Sequence, residues 1–171
     1  MNNQEINELV RLLNKFDPGF LPHDIFIAIA RLIVLPAIEF IPIRLEGNEI
    51  QVLLTRRQPD DPAWPNMLHT PGTILRSTDS SLDEASSRLL KDEFGILDPE
   101  YVTVTFISYD LDHGTRGTGL TLEHLIEINV EVSVGEYYNV ESLPEDFIEG
   151  QRAMLERAVI KFKQLKKIGV S

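Results

Sequence analysis

The sequence predicts an α/β domain carrying a helical extension at its N-terminus. Two amphipathic helical patterns come before any strand-like run, Ile-, Val- and Leu-rich runs fill the middle of the chain, and capped helical patterns lie between and after them. The chain has 171 residues, 43% hydrophobic and 25% charged, which suits one ordinary domain with a sizeable core and leaves no length for a second. Residues 1–35 are read as the extension and 36–171 as the domain.

The elements follow in order. Ile6, Leu9, Val10, Leu13 and Phe16 recur at helical spacing until Asp17-Pro18-Gly19 stops them. After Pro22 a second helix places Ile25, Ile29 and Leu32 on one face, and Pro36 interrupts it. Residues 37–45 and 49–56 read as strands joined by the turn Glu46-Gly47-Asn48. Residues 59–71, with four prolines and one Trp, read as an ordered loop. The strongest helix signal covers 81–94: Ser80 or Ser81 caps its start, Asp83 or Glu84 follows, and Gly95 closes its end. Residues 101–109 and 122–132 read as strands around a glycine-containing loop, 110–119. In the later strand Leu122, His124, Ile126, Ile128, Val130 and Val132 alternate with Glu123, Glu127, Asn129 and Glu131, which predicts one buried face with His124 pointing inward. From Pro144 to Lys167 a last helix aligns Phe147, Leu155, Val159 and Phe162 and ends in lysines.

Composition narrows the chemistry. Twenty-seven acidic residues against 16 basic ones give a net charge of −11, the wrong sign for wrapping a nucleic acid, so no nucleic-acid partner is expected. A small phosphorylated substrate remains compatible, because an acidic protein can hold a diphosphate through a divalent cation and a few arginines. With no cysteine, thiolate zinc sites and cysteine nucleophiles are excluded, and any metal must have oxygen or imidazole ligands. The start of the chain lacks a secretory pattern and no run has the length of a membrane span, so a cytoplasmic protein without a membrane partner is expected.

The chemistry concentrates in one stretch. Pro71-Gly72-Thr73 lies ahead of the capped helix, which ends Arg88-Leu89-Leu90-Lys91-Asp92-Glu93-Phe94-Gly95-Ile96. This resembles the box of the Nudix hydrolase superfamily, matching it at Arg88, Leu90, Asp92, Glu93, Gly95 and Ile96. The segment from Leu53 to Arg57 and on through Trp64 to Gly72 is similar to the strand and loop before that box. The resemblance covers roughly residues 21–155. It implies an α/β/α sandwich with a mixed, partly barrelled sheet, and a hydrolase of a nucleoside diphosphate linked to another moiety.

It also implies magnesium, with manganese as the alternative ion, held by Glu93 and the Gly72 carbonyl. Asp92 is an outer metal ligand or a partner for Arg88 one helical turn away. Arg57 is a diphosphate clamp or the polar end of a strand. Arg76 and Trp64 are further candidates for substrate contact, although Trp64 beside two prolines also suits packing of the loop.

Two departures change the expected reaction. The first box glutamate is Leu89, which can neither bind metal nor take a proton, and the acidic residue at the loop–helix junction is present only as Asp79 or Ser80 in a longer loop. The GDP-mannose mannosyl hydrolase branch also has Leu there, and its N-terminal stretch looks similar to Asp24-Ile25-Phe26 through Pro36 and Glu39-Phe40. That branch attacks sugar carbon, which makes a nucleotide sugar the expected substrate. Its histidine base has no counterpart, because no histidine follows His124 and 133–136 is short where that loop would lie. His124 and His113 remain the candidate bases, set against a packed core histidine and a solvated loop histidine.

Two other readings stand beside this one. A Nudix fold that has lost hydrolysis would be a nucleotide-binding or regulatory module. A diphosphate hydrolase could instead use Asp79 or Glu84 in place of the lost glutamate. The apolar stripe of the first helix is surplus to a single domain, so it predicts a partner subunit in a homodimer.

Overall fold

The computed structural model of the chain describes residues 1–19, 21–114 and 117–168, with side chains at 112–114 outside the description. Helices α1 (Asn3–Leu13) and α2 (His23–Ala30) precede strands β1 (Leu35–Glu46), β2 (Glu49–Arg56), β3 (Leu68–His69) and β4 (Gly72–Ile74). Helix α3 (Leu82–Phe94), strands β5 (Val102–Gly114), β6 (Gly117–Ile128) and β7 (Glu136–Asn139), and helix α4 (Arg152–Lys166) complete the order. The sheet runs β3-β2-β1-β6-β5, with β4 added on β1 and β7 on β2. It is mixed, since β1 and β6 are parallel while the other ladders are antiparallel.

The expected α/β/α sandwich is present, and alternation along the strands builds it. Ile38, Phe40, Leu53 and Ile126 meet Ala85, Leu89, Leu90 and Phe94 of α3 on one face. Ile41, Ile43, Val52, Leu54 and Leu125 meet Leu155, Ala158 and Phe162 of α4 on the other. Each fully buried apolar side chain of this size contributes about 1.5–3 kcal/mol, so either helix is held chiefly by its apolar face.

Helix α3 starts where the Ser81 side chain accepts from the Glu84 N–H, and ends at Gly95, whose φ of 69° suits glycine. The β1–β2 turn is Gly47-Asn48, two residues between the paired Glu46 and Glu49. Helix α1 is capped reciprocally by Asn2 and Glu5 but has no buried residue, so its apolar stripe faces outward.

Several expectations are corrected. The loop expected at 110–119 is mostly ladder, because β5 and β6 form one long hairpin from Val102↔Ile128 to Gly114↔Gly117. Cross-strand pairing there overrides the turn propensity of the Gly and Asp residues. The strand expected to reach Val132 ends at Ile128, and Val130 is exposed. Helix α2 ends at Ala30, and Leu35 and Pro36 already belong to β1 instead of breaking a helix; Leu32 is exposed.

Glu123, expected on a solvated face, is buried, because α4 covers that face too. Its carboxylate accepts from Ser108 Oγ at 2.8 Å and Arg157 Nη2 at 2.5 Å. Strand β3 lies in a segment expected to be a loop, β7 has no counterpart among the expected elements, and Phe147 precedes α4, bridging to Leu68.

Candidate active site

The site exists because β1 changes partners. Its first half pairs with β4 at Ala37↔Ile74, Ile38↔Thr73 and Glu39↔Gly72, while its second half pairs with β2 from Ile43 onward. Pro42, which has no N–H to donate, sits at the changeover. Beyond it the end of β2 pairs instead with β3 through Thr55↔His69 and Arg56↔Leu68. Residues 70–72 cross from β3 to β4 beside β1, with the Phe40 N–H donating to the Pro71 carbonyl at 2.8 Å.

Glu39 stands at this crossing. Its Oε1 accepts from Thr70 Oγ1 at 2.8 Å and from Gln151 Nε2 at 2.5 Å, and Gln151 also clasps the Thr70 backbone, accepting from its N–H at 3.0 Å and donating to its carbonyl at 3.2 Å. Oε2 faces Gly72, where a Cβ would lie only 1.8 Å away. Burial pushes the Glu39 carboxyl up to about 8, opposed by the Thr70 hydroxyl and the Arg57 charge and reinforced by Glu93 and Glu123.

Glu93, in the last turn of α3, is half-buried. Burial raises its carboxyl above the ordinary range, opposed by Arg57 and by the Thr55 hydroxyl 3.4 Å from Oε2, and reinforced by Asp92. Burial thus raises both carboxyls, and the Glu93 charge adds to the rise at Glu39.

Arg57 lies close enough to favour the ionised form of both carboxylates. Its Nη1 is 3.4 Å from Asp61, its guanidinium stands 5.8 Å from the centre of the Trp64 ring, and its buried Nε has no hydrogen-bond partner among the described residues. A guanidinium in electrostatic range of both carboxylates is suited to hold an anion there. Trp64 thus backs Arg57. The neighbouring Arg56 is committed elsewhere, to Asp146 at 2.6 Å.

The other expected residues separate. Asp92 is exposed beside Glu93 and does not pair with Arg88. Arg88 instead reaches Asp79 at 2.8 Å, Thr73 Oγ1 at 2.7 Å and the Ile74 carbonyl at 3.3 Å, clamping the box loop to the helix. Asp79 is accordingly held below the ordinary carboxylate range by that guanidinium, and Arg76 is exposed next to it. Leu89 is buried in the α3 core.

His124 packs edge-on against Phe40 at 5.5 Å and donates from Nδ1 to the Leu122 carbonyl at 3.1 Å. Burial lowers its pKa, so the ring is neutral, and it makes no bond to Glu39 or Glu93. The His113 side chain lies outside the described residues. Glu39, Thr55, Thr70 and Gln151 complete the cluster without having been singled out for it, together with His69, which like Trp64 precedes the box loop and could be expected to line the cleft. Of the other four, only Glu39 carried a signal, as a lone carboxylate among apolar neighbours in a strand.

The oxygen donors fit a small hard cation. Among the described residues no group of three or more His, Asp or Glu side chains could hold a metal unaided. Two carboxylates and a loop carbonyl are what magnesium commonly takes from a protein, the rest coming from water and phosphate oxygens.

No sequence-family model matches the chain, and no curated protein matches it by sequence. Solved structures do match by fold. An Ap4A hydrolase from C. elegans superposes with a TM-score of 0.59 at 17% identity, over 76% of this chain and 98% of that one. The Nudix domain of Shewanella oneidensis NrtR, complexed with ADP ribose, gives 0.55 at 16% identity over 95% and 99%. NrtR complexed with a 27mer DNA gives 0.54 at 17% identity, this chain spanning 62% of its length. The chain therefore has the Nudix fold. Among the described residues no helix is long and apolar enough to cross a membrane.

Proposed function

We propose that the chain is a divalent-metal-dependent hydrolase of a nucleoside diphosphate linked to another moiety, with a nucleotide sugar as the substrate class. The observation that carries this reading is Glu39 packed against Gly72, with Glu93 and Arg57 both in electrostatic range of it. Glu93 and the Gly72 carbonyl would hold magnesium, which when bound neutralises the diphosphate. Arg57 binds and orients that diphosphate, and Trp64 keeps the guanidinium in place. Glu39, once ionised, accepts the proton of the attacking water through Oε2, because Oε1 is already occupied by Thr70 and Gln151. Packed and neutral, His124 is the weaker candidate for that base.

Attack at sugar carbon is supported by Leu89. Its burial removes one box carboxylate from the site, and the box branch that shares this leucine cleaves at carbon. The same leucine supports a second reading, a nucleotide-binding or regulatory module without turnover. In that case a bound nucleotide would be held as ADP ribose is in the complex of the NrtR domain.

The deciding experiment is magnesium-dependent hydrolysis of nucleoside diphosphate sugars, dinucleotides and nucleoside triphosphates in oxygen-18 water, with Glu93→Gln as control. Turnover of a nucleotide sugar, lost in the variant and labelling the sugar hydroxyl, is the expected result. Label in phosphate overturns the carbon route. A silent panel with ligand-induced thermal stabilisation establishes the binding module.

A further inference from the structure

His69 and Thr55 face each other in register across β3 and β2, 2% and 3% exposed. The Thr55 hydroxyl oxygen lies 3.1 Å from His69 Nε2 and 3.4 Å from Glu93 Oε2. On the other side of the ring Nδ1 is 2.8 Å from the Thr70 carbonyl oxygen. A carbonyl can only accept, so Nδ1 carries a hydrogen and the ring is fixed with Nε2 towards Thr55. The Thr55 hydroxyl donates its one hydrogen to Glu93 Oε2, so its oxygen accepts from Nε2–H, and the chain of contacts holds with hydrogen on both ring nitrogens.

A buried strand pair in an apolar core needs neither an imidazole nor a hydroxyl, and burying both is costly unless each is bonded. Here each is bonded, and the chain of contacts ends on a carboxylate. The next residue has the matching role, since Thr70 Oγ1 binds Glu39. Adjacent residues of one segment thus hold the two carboxylates of the site, His69 through Thr55 and Thr70 directly.

We propose that His69 is a positioning residue which, through the Thr55 hydroxyl, holds the Glu93 carboxylate in the orientation that receives a divalent cation. The proposal rests on the metal reading given above and deepens it. Outer partners of a metal-binding carboxylate typically account for about 10–100-fold in metal affinity, and a chain of contacts predicts non-additive losses.

The test uses Mn2+ alone as the probe, titrated into the full chain and followed by the resonance signal of the free ion. Thr55→Val is expected to weaken binding ~10-fold, while Thr55→Ser, which keeps the hydroxyl, stays near wild type. His69→Leu is expected to match Thr55→Val, and the double variant to bind no more weakly than either single one. Should His69→Leu fail to fold, as its melting curve will show, the Thr55 pair decides alone. Wild-type-like binding by Thr55→Val, or losses that multiply in the double variant, overturns the positioning role and leaves the metal reading standing. Absence of Mn2+ binding to the wild-type chain overturns both.

Discussion

Glu39 and Gly72 oppose each other across β1 and β4 with no room for a side chain between them. A Cβ on Gly72 would lie 1.8 Å from Glu39 Oε2 and 2.7 Å from its carboxyl carbon. The glycine is needed for this approach and not for its backbone angles, since its φ is not among the positive values. Gly72→Ala must push Glu39 off the Thr70 and Gln151 amide. A stability loss of about 1–3 kcal/mol is expected from the overpacking, together with loss of Mn2+ binding, measured by thermal melting and ion titration.

Glu39 makes stability depend on pH in a stated direction. Its carboxyl has an ordinary value of 4.5 and a folded value of about 8. Between the two, the unfolded chain has released the proton and the folded chain still holds it. Stability from this group is therefore complete below the lower value and is lost as pH rises through the higher one. The melting temperature of metal-free wild type should fall relative to Glu39→Gln across that window, and the two should converge at acid pH. Parallel curves would show that Glu39 ionises normally.

Arg57→Lys tests whether the planar fork matters. Lysine keeps the charge but loses the paired donors and the guanidinium contact with the Trp64 ring. The expected outcome is a rise in KM of roughly 10-fold with a smaller change in kcat, since the group binds diphosphate in the ground state as well. Arg56→Lys, which disturbs the surface contacts with Asp146 and the Asn66 carbonyl, should leave steady-state kinetics unchanged.

Leu89 is 2% exposed, so restoring the family glutamate there should not restore a ligand. Leu89→Ala is expected to cost about 2–5 kcal/mol. Leu89→Glu should cost more, by burying a carboxylate without a partner. Denaturant unfolding measures both. A stable Leu89→Glu variant with tighter Mn2+ binding would mean that this turn of α3 can rotate towards the cleft.

The sequence made the box helix and β2 legible for local reasons. Ser81 and Gly95 mark the helix ends chemically, and the β2 limits follow from an apolar run bounded by a Gly-Asn turn and an Arg pair. Glu93, Gly72 and Arg57 were legible because they lie in or beside one contiguous motif. Glu39, Thr70 and Gln151 were not, because their meeting depends on where β1 leaves β4 for β2 and on where α4 begins. The Arg88 partner was misplaced for a related reason. Helical spacing offers Asp92, whereas the folded loop delivers Asp79 with two further acceptors.

The changeover in β1 also ties correct folding to function. Side chains alternate along a strand, so a slip of one residue would exchange the layers of Ile38, Glu39 and Phe40 together. The carboxylate would be driven under α3 and an aromatic ring pushed into the cleft. Two different neighbours lock the strand at opposite ends, at Glu39↔Gly72 and at Ile43↔Val52, so an error at either end is felt at both. Cation binding at this cleft would therefore report on the alignment of the whole sheet, and a variant that retains it has its threading right even where its melting temperature has fallen.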